Sequence, residues 1–414
     1  MGGAVRDLAL GREPREIDMV SAARPEEVEA SFERTLAVGR AFGTLIVQLP
    51  GLDVELTTFR TEAGYSDARR PDRVEYGATP EEDATRRDFT CNALYLDPLA
   101  DEVRDPTGGL ADLEAGVLRT VGDPGQRFAE DGLRLLRMAR FEADLELAPA
   151  PGLHAAATES LGALRGVSVE RVLHELRRLF AGRRAAHGLA VLDAAGVLEV
   201  ALPGWRERAA GPRPWDEVQA LRLCVARALP DVPGALLGFA TLFEVDPLGE
   251  GGEASLRAGS ELLCDLHASR ELVAACAGAW RARRALAAAA RAGAPRAQRI
   301  RALRAGQAAE GLVLARAWAE AQGSPVDVLE RLAALERFGR SLAPRELRPE
   351  RLLAARDLEA AGVPRGPRWS ALFEELETAQ LEGAVRTQGE ALAWLLERAR
   401  QDGGKTRRSA NDAG

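Results

Sequence analysis

The chain has 414 residues, of which 29% are charged and 46% hydrophobic, a balance that excludes a disordered or fibrous protein and leaves room for two or more domains with their own cores. Its formal net charge of −8 argues against wholesale nucleic-acid binding, though not against a local basic patch. The four cysteines, Cys91, Cys224, Cys264 and Cys276, show no C-x-x-C spacing, which speaks against structural zinc or a disulfide framework and suits a reducing cytoplasm. No apolar run is long enough for a membrane span; the Ala-rich stretch ending at Ala290 is short and flanked by arginines.

Gly2-Gly3 predicts a tight turn that brings bare backbone N–H groups together, so that no side chain blocks the approach of a phosphate. Ala4 to Leu10 predicts a short helix stopped at Gly11, its N-terminus aimed at the same phosphate and Arg6 in reach to add charge. Glu16-Ile17-Asp18 predicts a strand with Glu16 and Asp18 on one face, two hard carboxylates of the kind that Mg²⁺ uses to bridge protein and nucleotide. Ser21 to Gly39 reads as a loop and then a helix with Val28, Phe32 and Leu36 as its apolar stripe. Gly43–Leu49 and Leu52–Phe59 read as strands joined by a Pro50-Gly51 turn, with Glu55 facing away from Val54 and Leu56. Arg60 to Thr79 reads as a polar loop with no structure of its own.

In Arg86-Arg87-Asp88-Phe89-Thr90-Cys91-Asn92-Ala93, Arg87 has the chemistry to pair with phosphates, Asp88 to accept from a ribose 2′-hydroxyl and Asn92 to brace the loop. Asp105 to Leu113 reads as a turn, with Asp112 fixing this first region to the neck of helices after it, and Val117–Val121 as a last strand. Asp131, Arg134, Arg137 and Arg140 recur every third residue, which on a helix makes a winding ridge because successive members drift by about 60°. The first two reach a base and the last two trend toward phosphates. Ionised Asp only accepts and Arg only donates, so the Asp131/Arg134 pair fits the amino donor and ring acceptors of cytosine and adenine and mismatches uracil and guanine. Ser168 caps a further helix with Arg171 at its third position, and Arg177, Arg178, Arg183 and Arg184 form a basic cluster suited to RNA phosphates. His174 and His187 lack partners at ligand spacing and read as structural. From Leu189 onward the pattern is helical and rich in Ala and Leu.

Read together, Gly2-Gly3-Ala4-Val5-Arg6-Asp7 with Glu16-Ile17-Asp18, the Arg86–Ala93 run, Asp105-Pro106 to Asp112-Leu113, Arg127-Phe128 to Arg140-Phe141, and Ser168 to Glu175-Leu176 resemble the motifs of the class II tRNA nucleotidyltransferase and bacterial poly(A) polymerase family. The resemblance is specific before about Arg184 and diffuse after it; Asp357-Leu358 to Pro367, Gln380 to Gly383 and Ala391-Leu392 are similar to the family's tail. It implies an α/β head with a polymerase beta-like mixed sheet in residues 1–122, then an all-α protein: a neck for base selection in 123–205, a tRNA-binding body and tail in 206–400, and a disordered end in 401–414. It implies Mg²⁺-dependent addition of C and A from CTP and ATP to the tRNA 3′ end, with Glu16, Asp18 and Glu55 catalytic, Glu16 and Asp18 as metal ligands, and Gly3, Arg6, Arg87, Asp88, Asp131, Arg134, Arg137 and Arg140 on the nucleotide. Glu55 matches the third carboxylate of such sites, which holds metal or accepts the proton of the attacking hydroxyl. Glu175 supports the neck. The Tyr65–Pro71 run matches a loop that accompanies A addition in relatives.

Two departures stand out. The family has Asp where this chain has Glu16, one methylene longer. The family also has a helix and a strand before the double glycine, so a longer natural protein with a further strand beside the site is expected. The neighbouring readings are an A-adding enzyme or poly(A) polymerase, and, from another class, a catalytically impaired RNA-binding paralogue.

Overall fold

A computed structural model of the chain describes residues 1–14, 16–40, 43–63, 73–210, 214–245, 252–360 and 368–398. It divides into two compact units, Met1–Val273 and Ala274–Gly414.

The first unit begins with helix α1 (Gly3–Ala9), strand β1 (Asp18–Ser21), helix α2 (Pro25–Ser31) and strands β2 (Thr35–Gly39), β3 (Thr44–Leu49) and β4 (Leu52–Thr58). The strands form one mixed sheet in the order β1-β4-β3-β2, with β1 parallel to β4 and the other pairs antiparallel. The β3–β4 hairpin turns where expected, with Gly51 at φ +79°, a conformation that glycine adopts without a Cβ penalty. Val28 of α2 packs on Leu45 and Val47 of β3 and covers one face of the sheet.

The expected helix through Leu36 is corrected: α2 ends at Ser31, and Leu36 lies in β2 opposite Ile46. Thr35 and Val38 favour strand geometry, and the open edge of β3 supplies backbone partners that a continued helix would leave unpaired. The polar stretch after Phe59 is also more ordered than expected. Strands β5 (Arg60–Ala63) and β6 (Arg73–Tyr76) pair antiparallel at its two ends, while Tyr65–Pro71 lies outside the described residues.

Helix α3 (Pro80–Thr85) opens with a reciprocal cap: Glu82 N–H donates to Thr79 Oγ1 at 3.2 Å, and Thr79 N–H donates to Glu82 Oε2 at 2.8 Å. Strands β7 (Tyr95–Asp97) and β8 (Glu102–Arg104), helix α4 (Gly109–Glu114) and the two-residue strand β9 (Val117–Leu118) complete the head. The last strand is shorter than expected; only a single bridge, Phe89 to Thr120, continues it. Asp112 accepts from Thr90 Oγ1 at 2.8 Å and from Arg119 Nε at 3.1 Å, so it ties parts of the head together and does not reach the neck.

Next in the chain come α5 (Pro124–Glu130), α6 (Leu133–Leu145), the short strand β10 (Ala148–Pro149) parallel to β9, then α7 (Leu153–Glu159), α8 (Val169–Ala181) and α9 (Ala185–Ala194). Helix α6 is buried on most sides, with Leu135, Met138, Ala139 and Ala143 fully enclosed. Gly188 of α9 lets three helices meet, since a Cβ there would lie 2.4 Å from Leu179 and 3.0 Å from the Ala139 carbonyl oxygen. Helices then continue through Gly252–Asp265.

The second unit is helical among the described residues. Leu286, Leu332 and Leu335 anchor one of its cores, and Leu353, Leu358, Leu376 and Leu395 another. No helix among the described residues is long and apolar enough to cross a membrane.

The head depends on close backbone contact between α4 and the Arg86–Ala93 loop. A Cβ on Gly109 would sit 2.2 Å from the Thr90 carbonyl oxygen. Gly109→Ala is expected to destabilise the protein by about 1–3 kcal/mol in urea unfolding. Gly162→Ala, which meets nothing within 4 Å, is expected to stay within about 0.5 kcal/mol of the parent.

Candidate active site

Two guanidinium groups rest on the double glycine. A Cβ on Gly2 would lie 3.4 Å from Arg87 Nη1, and one on Gly3 would lie 3.5 Å from Arg6 Nη2. Gly2 adopts φ +60° as the residue before α1, and its N–H is spent on the Leu94 carbonyl at 2.8 Å. The backbone donors left for a ligand are therefore the first-turn N–H groups of Gly3, Ala4 and Val5, which take no acceptor among the described residues. Arg6 folds back beside them, donating to Asn92 Oδ1 at 2.7 Å and to Asp7 Oδ1 at 2.7 Å. Free amides with the Arg6 and Arg87 guanidinium groups alongside have the chemistry to take an anion.

The candidate catalytic carboxylates gather at the edge of the sheet. Asp18 and Glu55 are register partners across β1 and β4. Burial raises the Glu55 pKa, and the charges of Asp18 and Glu16 raise it further, so all three acids lie within electrostatic reach. The expectation that Glu16 shares a strand with Asp18 is corrected, because β1 begins at Asp18. Extending the register would set Glu16 beside Asp53, two like charges. Glu16 instead lies before the strand, largely exposed, 3.4 Å from Arg178 of α8. The donor set suits a hard cation: like charges are crowded, and oxygen is the only ligand atom they offer. Among the described residues no group of three or more His, Cys, Asp and Glu side chains is assembled as a cage. Two carboxylates suffice for Mg²⁺, which ordinarily keeps water and substrate phosphate in its remaining positions.

Behind the anion seat is a network of arginines held by carboxylates. Asp83 is fully buried and accepts from Arg87 Nη2 at 2.8 Å, Arg86 Nη2 at 2.7 Å and the Tyr95 hydroxyl at 2.8 Å. Asp88 accepts from the Phe89 N–H at 2.8 Å and the Asn92 amide at 3.1 Å on one oxygen, and from Arg137 at 2.7 and 2.6 Å on the other. All four of its lone-pair sites are thereby engaged, so Asp88 can receive a ribose hydroxyl only when one of these partners gives way. Asn92 braces the loop as expected. Arg140 donates to buried Glu175 at 2.7 Å, and Arg137 approaches the same acid at 3.6 Å. Burial lowers the Arg140 pKa, and Glu175 opposes that shift. The Phe141 ring lies under Arg6, Arg137 and Arg140, at 5.5, 5.2 and 4.1 Å.

The Asp131–Arg140 ridge is not one helix. Asp131 follows the last residue of α5 in extended conformation (φ −149°, ψ 105°), and α6 starts at Leu133. Gly132, which follows Asp131, is itself in helical conformation, and a Cβ there would be 2.4 Å from the Ala163 carbonyl oxygen. Asp131 and Arg134 each have another partner. Asp131 is gripped by Arg171, with Nη1 at 3.2 Å from Oδ1 and Nη2 at 2.7 Å from Oδ2, and it also accepts from the Leu133 N–H at 3.0 Å. Arg134 is buried and donates through Nη1 to the Arg127 carbonyl at 2.7 Å and to Glu130 at 2.6 Å, and through Nη2 to the Arg86 carbonyl at 3.0 Å.

Sequence reasoning passes over Asp83, Tyr95 and Glu130 and gives Arg171 only a place in its helix. The acids at 83 and 130 stand four residues before Arg87 and Arg134, a spacing that signals helical ion pairs. Of the basic cluster, Arg178 touches Glu16, Arg183 lies 3.3 Å from Glu146 and Arg184 lies 3.9 Å from it, all half exposed. His187 stands 4.0 Å from buried Glu142, which His154 meets at 2.7 Å, so His187 does have an acidic neighbour.

Burial alone would raise the Asp88 pKa; Arg137 and Asn92 outweigh it and hold the carboxyl at about 2. A folded pKa below the unfolded one means that this stabilisation is present above about pH 4 and disappears as pH falls through 2. Asp88→Asn is expected to lose about 2 kcal/mol at neutral pH, with the gap to the parent closing between about pH 4 and pH 2 in urea titrations.

The chain is similar to known proteins in sequence and in fold. Residues 1–119 match the family described as poly A polymerase head domain, and residues 148–208 the one described as probable RNA and SrmB- binding site of polymerase A. A CCA-adding enzyme of Geobacillus stearothermophilus is 42% identical over 204 residues, 49% of this chain and 50% of that one. A CCA-adding enzyme of Bacillus pumilus is 39% identical over 237 residues, 57% of this chain and 58% of that one. The chain thus spans about half the length of the curated relatives it matches. In fold it is similar to the crystal structure of the Bacillus stearothermophilus CCA-adding enzyme in complex with CTP, with TM-score 0.75 and 29% identity over 98% of this chain and 93% of that one. The Thermotoga maritima CCA-adding enzyme complexed with tRNA shares the fold at TM-score 0.65 and 18% identity, covering 96% of this chain and 90% of that one. The chain thus has a poly A polymerase head domain and is similar in sequence and in fold to CCA-adding enzymes.

Proposed function

We propose that this protein adds C and A from CTP and ATP to the 3′ end of tRNA, releasing pyrophosphate, in the cytoplasm. The observation that carries the reading is the hydrogen-bonding capacity left over at the α5–α6 break. Asp131 has one lone-pair site unclaimed, on Oδ2. Arg134 has its Nε–H and one Nη2–H without a partner among the described residues. One acceptor and two donors are the complement of the cytosine edge, and adenine uses the acceptor and one donor. Uracil and guanine put a carbonyl where Asp131 needs a donor.

The triphosphate lies on the first-turn amides of α1 at Gly3, flanked by Arg6 and Arg87. Asp88 and Arg137 part to take the ribose hydroxyl and a phosphate oxygen, and Arg140 adds positive charge behind them. Glu16 and Asp18 hold Mg²⁺, which when bound neutralises charge developing on the phosphates. Glu55, with its raised pKa, stands on β4 opposite Asp18 to accept the proton of the attacking tRNA 3′-hydroxyl. Arg177, Arg178, Arg183 and Arg184 bind the RNA backbone.

The contact between Glu16 and Arg178 favours a second reading, a paralogue that binds tRNA but turns over poorly. Labelled CTP and ATP offered to tRNA lacking CCA, tRNA ending in C-C and complete tRNA separate the possibilities. Full CCA addition that then stops is expected, and EDTA is expected to abolish it. A added only to the C-C substrate identifies an A-adding enzyme, and continued A addition a poly(A) polymerase. Tight tRNA binding without incorporation, unrelieved by Glu16→Asp, identifies the impaired paralogue. Asp18→Ala is expected to reduce incorporation at least about 10³-fold while tRNA affinity stays within a few-fold of the parent.

A further inference from the structure

The register of the head sheet sets one row of side chains across all four strands. Asp18 of β1 stands opposite Glu55 of β4, Glu55 opposite Ile46 of β3, and Ile46 opposite Leu36 of β2. Register partners point to the same side of a sheet, so the two acids continue into two apolar side chains. Helix α2 covers the other face, where Val28 packs on Leu45 and Val47. On the row itself Ile46 is half-buried and Leu36 is 47% exposed. The neighbouring rows of this face are polar and paired within themselves: the Thr44 and Thr57 hydroxyls meet at 3.0 Å, and the Gln48 amide donates to Asp53 at 3.4 Å. Strands lie about 4.8 Å apart, so Leu36 is about 10 Å across the sheet from Glu55, roughly the span of one nucleoside.

Given the nucleotidyl transfer to tRNA proposed above, the triphosphate takes the β1 side of this face. Met1, next to Gly2-Gly3, donates its ammonium to the Asp18 carbonyl at 2.7 Å. With Val20 and Phe59 it packs on Ala84, Ala93 and Tyr95. A displacement at phosphorus sets the attacking and leaving oxygens in line, on opposite sides. Pyrophosphate leaves toward α1, so the attacking hydroxyl comes from over β4 and β3. We infer that Ile46 and Leu36 form a platform for the 3′-terminal nucleoside of the tRNA, holding its hydroxyl at Glu55 without reading its base.

Neither side chain carries a donor or an acceptor, and this suits an RNA end whose identity changes. The acceptor base is first whichever one precedes CCA, and then a cytosine twice. A platform that hydrogen-bonded one of these would leave groups unpaired against the next. Every base has an apolar face, so contact with Ile46 and Leu36 accepts them all. Selection is then divided across the site: Asp131 and Arg134 read the incoming base, and the sheet accepts any terminal one. Removing apolar area from the platform weakens the hold on the RNA end and leaves the CTP side untouched.

The experiment is C addition to tRNA lacking CCA and to the same tRNA with an abasic 3′-terminal nucleotide, by the parent, Leu36→Ser and Ile46→Thr. Thermal midpoint, gel-filtration volume and CTP affinity are recorded first. The KM for intact tRNA is expected to rise on the order of tenfold in each variant, with KM for CTP unchanged. The parent is expected to lose a similar factor on the abasic tRNA, and the variants to lose little more, because the contact is already gone. If Ile46→Thr does not fold, Leu36→Ser, at a half-exposed position, supplies the result. An unchanged KM for tRNA, or equal losses by a variant on intact and abasic RNA, overturns the platform while leaving CCA addition intact. An unchanged KM with a shifted gel-filtration volume identifies a second copy of the chain as the occupant of this face and likewise overturns it. A parent that adds no C to intact tRNA overturns the proposed function, and the platform with it.

Discussion

A guanidinium taken out of water loses hydration worth several kcal/mol, and only a well-placed carboxylate returns it. This constraint organises the first unit. Arg87 lies against Asp83, Arg137 against Asp88, Arg140 against Glu175 and Arg134 against Glu130. The pairs join separate segments: Arg137 links α6 to the loop after α3, and Arg140 links α6 to α8. The head and the helices after it are thus stitched together by the same charges that line the candidate site.

The pairing also explains why the arginines are ready for an anion. A free arginine on the surface spends much of its time elsewhere, and ordering it opposes binding by up to about 2 kcal/mol of side-chain entropy. Here the ordering is already done. Donors fixed before the ligand arrives need no reorganisation as charge develops on it, which is where enzymes gain most electrostatically. The carboxylates at the sheet edge are in the opposite condition. Asp18, Glu55 and Glu16 lie near one another without a close arginine for each, and burial, joined by the charges of Asp18 and Glu16, raises the Glu55 pKa. Compensated positive charge on one side and uncompensated negative charge on the other suit a metal-bound polyphosphate.

At the α5–α6 break, Gly132 is in close contact with another segment. Backbone from the 3₁₀ turn at Leu161–Gly166 presses on it so closely that no Cβ fits. Asp131, the extended residue before it, is turned toward α8 instead of along α6. Its hydrogen bonds therefore come from outside its own helix, and the carboxylate orientation is a tertiary property.

Much of the architecture was legible in the amino-acid order. The β3–β4 hairpin, the helix behind Gly2-Gly3, the helix that starts after Ser168 and the brace at Asn92 all follow from local patterns: alternation, helical periodicity and turn glycines act over a few residues and do not wait for the rest of the chain, although the Ser168 side chain makes no capping hydrogen bond. The residue types of the site were legible for the same reason, since carboxylates and arginines at fixed spacing limit the chemistry they can do. What the tertiary structure decided was where each charge points and with whom it pairs. Leu36 joined a sheet because β3 offered an open edge. Glu16 stood apart from Asp18 because β1 starts late. Asp131 fell between two helices in extended conformation, and Arg171 became its partner from 40 residues away in sequence. Periodicity specifies which residues share a face, but which charge meets which depends on close packing between distant segments, and one-dimensional spacing carries no record of that.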